Sequence, residues 1–151
     1  MPAGTLTVRR ATIADLPEIN ALIQASSAYH GEYRAMVASY VVAPAQLERD
    51  QMHLAEQDGA VVGFYSLMLG DEPELDLMFV ADGMQGAGLG RTLIEHLRQT
   101  ARQFGVREIK IVSHPPAAGF YKRVGAIETG VKPPSGRITW PRPVLKLRCS
   151  E

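Results

Sequence analysis

Residues 74–97 read ELDLMFVADGMQGAGLGRTLIEHL. The mostly apolar run at 74–80 predicts a strand, and the glycines after it lead into apolar residues at helical spacing, Leu93, Ile94 and Leu97. Glycine lets backbone amides approach a ligand closely, and the first turn of a helix presents unpaired N–H groups to an anion. This order of strand, glycine-rich turn and helix predicts a site for a pyrophosphate.

The glycine spacing argues against the common nucleotide-binding motifs. Gly86, Gly88 and Gly90 form the pattern G-x-G-x-G, whereas the dinucleotide fingerprint requires G-x-G-x-x-G. No acidic residue ends a partner strand about 20 residues later, as ribose recognition would require. The lysine of a P-loop is also missing. A pyrophosphate in another kind of ligand is therefore favoured.

The rest of the chain predicts a mixed α/β fold. Thr12 and Asp15 form a capping box before one helix, and Leu93 to Phe104 supply the buried face of another, with Gly105 after its end. Strands and helices follow in the order strand, helices, three strands, helix, strand, helix and two strands. We predict one domain over residues 1–151, with a twisted sheet of about six to seven strands flanked by helices. The predicted strands are 5–10, 52–57, 60–69, 74–80, 108–113, 126–131 and 144–149, with a short helical piece after Pro44 and a helix at 117–124.

Composition narrows the class of partner. Sixteen basic residues balance sixteen acidic ones, so no overall charge favours nucleic acid or an anionic membrane. No apolar run is long enough for a signal peptide or a transmembrane helix, and we expect a cytoplasmic protein. Cys149 is the single cysteine, so no disulfide or zinc-binding cysteine pair can form, and we expect no metal. Cys149 is more readily explained as a residue of a terminal strand than as a nucleophile.

Two motifs resemble those of a known family. Gln85-x-x-Gly88-x-Gly90 resembles the coenzyme-A pyrophosphate motif of the GCN5-related N-acetyltransferase (GNAT) family. Residues 114–126, HPPAAGFYKRVGA, look like that family's N-x-x-A-x-x-F-Y-x-x-x-G-F segment, with His114 in place of Asn and Ala126 in place of Phe. Residues 10–17 are also typical of its first strand and helix. The resemblance runs from about residue 5 to about residue 148 in the right order.

The resemblance implies an enzyme that transfers acetyl from acetyl-CoA, as co-substrate, to a primary amine. Tyr121 corresponds to the tyrosine that protonates the departing thiolate, and Phe79 and Val80 correspond to a bulge whose backbone groups meet the pantetheine arm. Because Cys149 is a poor nucleophile, we expect direct attack in a ternary complex. The positions implied to contact the cofactor are Phe79, Val80, Gln85, Gly86, Ala87, Gly88, Leu89, Gly90, Arg91, Ala117, Phe120 and Tyr121.

The sequence leaves more than one candidate for the general base. Strand alternation places Glu74, Asp76 and Met78 on one face and Leu75, Leu77 and Phe79 on the other. Asp76 is the first candidate, and Glu74 the second, for accepting the amine proton directly or through water. The alternative for both is a solvated carboxylate at a strand end. His114 is a further catalytic candidate because it titrates near neutral pH, or it is a purely structural histidine.

The acceptor region has several interpretations. Arg137, Trp140 and Arg142 either line an acceptor pocket that recognises an acidic group or belong to a loop that packs against a second subunit. His30 and Glu32 lie in a lid over the acceptor or on a solvated surface. A small-molecule amine is favoured over a protein N-terminus or lysine because the neutral charge gives no sign of a polypeptide-binding surface. A non-catalytic CoA-binding protein is the alternative from another class, and a homodimer is common in the family.

Overall fold

Along the part of the chain that the structure describes, the helices and strands follow the predicted order. The computed structural model describes residues 6–26, 34, 40–84, 88–136 and 138–149. The first half contains β1 (Leu6–Arg10), α1 (Leu16–Ala25), α2 (Pro44–Arg49), β2 (Gln51–Gln57), β3 (Ala60–Met68) and β4 (Glu74–Val80). The second half contains α3 (Leu89–Gln103), β5 (Glu108–Val112), α4 (Ala118–Arg123), β6 (Ile127–Lys132) and β7 (Arg142–Arg148).

The strands form one mixed sheet, as predicted. Its order is β1-β2-β3-β4-β5-β7-β6, and every neighbouring pair is antiparallel except β4 and β5. β4 and β5 are parallel because α3 connects them, and this crossover returns the chain to the end of the sheet at which β4 begins. The bounds of β4 are as predicted, and those of β2, β3, β5, β6 and β7 differ from the predicted ones by one or two residues.

Each face of the sheet carries its own apolar cluster. One cluster joins α3 and α4 to the sheet and includes Leu93, Ile94, Leu97 and Ala101, all fully buried. The second joins α1 and α2 to the opposite face, with Ile19, Ile23 and Leu47 from the helices. The prediction that Phe104 belongs to the buried face of α3 is wrong, because the helix ends at Gln103 and Phe104 is 50% exposed.

Local sequence signals account for the turns. Asp58 and Gly59 have φ angles of 53° and 80°, the left-handed conformation of a two-residue hairpin turn, as the Asp-Gly pair predicts. The capping box is also confirmed, because Asp15 accepts hydrogen bonds from the backbone N–H of Thr12 at 2.7 Å and from Arg9 at 2.9 Å. The Arg9 guanidinium lowers the pKa of Asp15 to about 2.

The described helices do not include one that is both long enough and apolar enough to cross a membrane. His, Cys, Asp and Glu side chains of the described residues form no group of three that could hold a metal ion. His30 and Glu32 lie outside the described residues.

A histidine–tyrosine cluster lies between the sheet and α3. The Tyr65 hydroxyl is 2.7 Å from His96 Nδ1 and 2.8 Å from Thr100 Oγ1. The His53 ring stacks on Tyr65 with centroids 5.3 Å apart and lies 4.9 Å from the His96 ring. Burial, followed by the neighbouring His96 and Arg10, lowers the pKa of His53 to about 4, and burial lowers the pKa of His96.

We expect the free energy of unfolding to fall as the pH drops from about 6.5 to about 4. Histidines of the unfolded chain titrate near 6.5, so the unfolded state binds more protons than the folded state in this window. Asp15 lowers the free energy of unfolding mainly at more acidic pH, as the pH falls from about 3.8, the ordinary pKa of aspartate, through its folded pKa of about 2. Urea unfolding at pH 7 and pH 5 measures the change. His53→Phe should reduce the difference, and a variant that keeps the whole difference would show that His53 is not its source.

Candidate active site

Strands β4 and β5 part from each other after a short paired segment. They pair at Glu74 with Lys110 and at Leu75 with Ile111, and the Lys110 N–H donates to the Pro73 carbonyl at 2.9 Å. β4 then continues to Val80, and no further pairing with β5 is found among the described residues. The sheet therefore has a gap at the carboxyl ends of these two strands. Loops that follow parallel strands meet at this same edge, which is where ligands bind in open α/β sheets.

A bulge at Asp76 changes the faces of β4. Ser66 pairs with Leu77, but Leu67 pairs with Leu75, so Asp76 is an extra residue without a partner on β3. As a result Leu75 packs with the α3 cluster, whereas Leu77 packs with the α1 cluster. The predicted strict alternation is therefore wrong beyond Asp76, and Met78 packs on the α3 side of the sheet. The predicted bulge at Phe79 and Val80 is also wrong, because both pair in regular register with β3.

The hydrogen-bonding register shows which backbone groups face the gap. The Ala81 N–H donates to the Val62 carbonyl at 2.9 Å, in register with the β3–β4 ladder. Opposite residues in an antiparallel pair alternate between hydrogen-bonded and non-hydrogen-bonded positions. Phe79 therefore directs its N–H and C=O toward β3, while Met78 and Val80 direct theirs toward β5 and the gap. Met78 was missed from sequence because only the register of the neighbouring strand reveals it.

The two sequence motifs meet at one end of this gap. Gly88 precedes α3 with φ at 82°, and a Cβ built on Gly90 would lie 3.0 Å from Phe120 Cζ and 3.8 Å from Met78 Cε. A side chain at position 90 would therefore crowd the Phe120 ring, because α4 approaches the first turn of α3 closely. Leu89 is buried and Arg91 is exposed. Gln85, Gly86 and Ala87 lie outside the described residues.

The second motif packs beside the first, against the α3 cluster. A turn of 3-10 helix at Pro115–Ala117 leads into α4, where Tyr121 is 9% exposed and meets the Phe120 ring edge to face, with centroids 5.4 Å apart. Ala117 and Phe120 pack partly buried against the α3 cluster. His114 is 6% exposed at the end of β5, and its carbonyl accepts the Ala117 N–H at 3.0 Å. The roles implied for Tyr121 and His114 remain predictions.

Asp76 belongs to a polar cluster on the α1 and α2 face. Its carboxylate accepts a hydrogen bond from Gln46 Nε2 at 2.9 Å, and the Tyr40 hydroxyl donates to Gln46 Oε1 at 3.0 Å. Burial raises the pKa of Asp76, and the negative charges of Asp50 and Glu74 raise it further. Glu74 and Asp76 point to the same face, as predicted. A carboxylate with a raised pKa beside the gap has the properties required of a general base.

The acceptor-side loop has two buried members. Trp140 is 6% exposed and Arg142 is 8% exposed, so these side chains are covered within the chain itself. The pocket interpretation and the second-subunit interpretation of this region both stay predictions. Arg137 lies outside the described residues.

The comparison with protein families identifies the chain. The model of the acetyltransferase (GNAT) domain matches residues 24–137. The chain belongs to this family. The "5-NmdU N-acetyltransferase" of Pseudomonas phage PaMx11 is 33% identical over 82 residues, which cover 52% of this chain and 59% of the phage protein. The chain thus spans less than two thirds of the length of this curated relative.

Solved structures share the fold of this GNAT domain. A "GCN5-Related N-acetyltransferase: Aminotransferase, Class-II" from Rhodopseudomonas palustris is similar with a TM-score of 0.80 and 21% identity, over 98% of both chains. PaiA N-acetyltransferase from Thermoplasma acidophilum, solved in complex with coenzyme A, is similar with a TM-score of 0.72 and 15% identity, over 95% of this chain and 99% of the other.

Cys149 has the properties of a structural residue in this GNAT domain. It is 2% exposed within the α3 cluster, and its backbone N–H donates to the Arg107 carbonyl at 2.8 Å. Burial raises the pKa of its thiol to about 11, so the nucleophilic thiolate is scarce at neutral pH. A covalent acetyl-cysteine is therefore disfavoured.

We expect Gly90→Val to lower the free energy of unfolding by about 1–3 kcal/mol, because the new side chain overlaps Phe120 and must displace it. Urea denaturation measures the loss. Gly119→Val in α4 is the matched control, since a Cβ there meets only Arg123 Nη1 at 3.4 Å, at the end of a flexible side chain. Equal stabilities for the two variants would refute the close contact between α3 and α4.

Proposed function

We propose that this protein transfers an acetyl group from acetyl-CoA to a primary amine of a small molecule, by direct attack in a ternary complex. The observation that carries the proposal is the gap between β4 and β5, with backbone groups of Met78 and Val80 directed into it and Asp76 beside it. Membership of the GNAT family supports the acetyl donor, and the coenzyme A held by PaiA supports its chemical class.

The residues around the gap fit such a donor. The N–H groups in the first turn of α3 have no partners within the helix, and the missing side chain at Gly88 lets a pyrophosphate approach them. The exposed Arg91 stands in the same turn, where its charge favours an anion. The backbone groups that Met78 and Val80 direct into the gap suit the amides of a pantetheine arm. Acetyl-CoA supplies the activated acetyl thioester when it is bound.

Two side chains and one backbone group each carry a step of the proposed reaction. A protonated amine has no lone pair, so Asp76 accepts its proton, directly or through a water. Negative charge then develops on the carbonyl oxygen, and a backbone N–H directed into the gap stabilises it. Tyr121 donates a proton to the departing sulfur. No step requires a nucleophile from the protein, in agreement with the raised pKa of Cys149.

Asp76→Asn should lower kcat by about 100-fold or more, because the amide cannot accept the proton, while coenzyme A affinity stays unchanged. The amide oxygen can still accept the hydrogen bond from Gln46, so the fold should persist. In the wild type we expect activity to fall on acidification at a pH above the ordinary range of carboxylates, because the pKa of Asp76 is raised. Steady-state kinetics across pH measures both effects.

Glu74→Gln is the matched control for this prediction, since Glu74 lies on the same face of β4. Its kcat should remain close to that of the wild type. A large loss in Glu74→Gln with none in Asp76→Asn would assign the base to Glu74 instead.

Tyr121→Phe should lower kcat by about 100-fold while leaving coenzyme A affinity unchanged, because only the proton donor is removed. Calorimetry with coenzyme A and release of free thiol measure the two quantities separately. A fully active Tyr121→Phe enzyme would exclude the phenol from the mechanism.

The proposed function itself is tested by release of coenzyme A thiol from acetyl-CoA in the presence of amines. The panel comprises aminoglycosides, polyamines, amino acids and N-terminal peptides. Turnover with a small amine supports the proposal, and turnover restricted to peptides would change the acceptor to a protein. Tight coenzyme A binding without any turnover would favour a non-catalytic binding protein.

A further inference from the structure

Arg142 is a buried cation for which the described residues supply no acidic partner. It is 8% exposed, and among the described residues its guanidinium donates one hydrogen bond, from Nη2 to Ser135 Oγ at 3.3 Å. Its Nε is buried and finds no acceptor in the described part of the chain. Buried arginines normally form ion pairs, since an unpaired buried charge destabilises a fold. Arg9, by contrast, binds the carboxylates of Asp15 and Glu56.

The register of β7 places Arg142 beside the gap. Val112 pairs with Val144, and the Ser113 N–H donates to the Pro143 carbonyl at 3.0 Å. The next position in the same register sets His114 opposite Arg142. Arg142 therefore lies at the carboxyl end of β5, where β5 has separated from β4.

The side chain of Arg142 also lies on the face that carries Asp76. Leu145, Leu147 and Cys149 pack in the α3 cluster, so the even-numbered positions of β7 point to the opposite face, where α1 and α2 pack. Asp76 contacts Gln46 of α2 on that face. Two strand spacings, about 10 Å, separate the backbones of β4 and β7, and the gap adds to this distance.

We infer that Arg142 binds an anionic group, a carboxylate or a phosphate, on the amine that this enzyme acetylates. This assignment rests on the proposed function and specifies its acceptor as a small amine with an oxyanion at its other end. The planar guanidinium presents several N–H donors, which match the paired oxygens of such a group. The anion supplies the counter-charge that the described residues do not supply.

The experiment compares pairs of acceptors that differ only in the anion. β-Alanine is compared with β-alaninamide, glycine with glycinamide, and phosphoethanolamine with ethanolamine. In the wild type the anionic member of at least one pair should have the lower KM. Arg142→Met should raise that KM by about 10- to 100-fold while leaving KM for the neutral member and coenzyme A affinity unchanged. The pair that responds separates a carboxylate acceptor from a phosphate acceptor.

Two controls separate recognition from a structural role. Arg148→Met makes the same substitution at an exposed position of β7 and should leave every KM unchanged. Ser135→Ala removes the hydrogen bond to the loop and should preserve the preference for anionic amines. In the ligand-free protein, Arg142→Met should have a melting temperature equal to or above that of the wild type, because it removes an unpaired buried charge.

The outcomes decide the proposal even if catalysis is not observed. Equal loss for anionic and neutral acceptors, or a lower melting temperature with unchanged preference, would overturn the role of Arg142. If no amine is acetylated, the proposed function fails separately, and thermal stabilisation of the ligand-free protein by β-alanine and phosphoethanolamine becomes the test. Stabilisation that Arg142→Met abolishes and that the neutral partners do not produce supports the anion site, and its absence overturns it.

Discussion

Strands β4 and β5 run parallel and separate after two paired positions, and the candidate site depends on that separation. A sheet interior normally uses all its backbone groups in ladders. After Asp76, alternate residues of β4 direct their backbone N–H and C=O groups either toward β3, where they pair, or into the gap. The bulge at Asp76 stands where the paired segment ends, so it coincides with the opening. Bulges commonly redirect side chains next to active sites in this way.

Helices pack on both faces of the sheet beside the gap. The fully buried side chains of α3 anchor that helix against β3 and β4, which fixes its first turn at the mouth of the gap. Phe120 of α4 fills the space that Gly90 leaves, and this contact joins the two sequence motifs that are far apart along the chain. On the other face, α2 supplies Gln46, which orients the Asp76 carboxylate. The positions of the candidate groups are thus set by rigid elements rather than by free loops.

The charges of the site form a simple pattern. Burial, followed by the negative charges of Asp50 and Glu74, raises the pKa of Asp76, so its carboxylate retains a proton more readily than an exposed one. Arg142 stands across the gap with no acidic partner among the described residues. The buried charge of Arg142 destabilises the ligand-free fold slightly, because a buried charge prefers a partner. Such residues are expected at sites where a bound ligand supplies the missing charge partner.

The sequence by itself determined the order of the elements, the hairpin at Asp58 and Gly59, the capping box at Asp15 and the family. These features depend on local rules: glycine adopts positive φ, a short polar side chain caps a helix, and buried faces repeat with the period of the helix or strand. The glycine-rich turn can likewise be recognised from the spacing of its own residues, without knowledge of distant ones. For this reason these local features were predicted correctly from the sequence.

Tertiary structure alone decided which groups face the gap. An extra residue at Asp76 leaves no mark in the sequence, because a bulge is defined by the partner strand, and it shifted Leu77 and Met78 to faces opposite to those predicted. The involvement of Gln46 and the isolation of Arg142 also depend on contacts between residues distant in the chain. Pairing register and burial arise only when strands and helices pack, so local periodicity does not contain them.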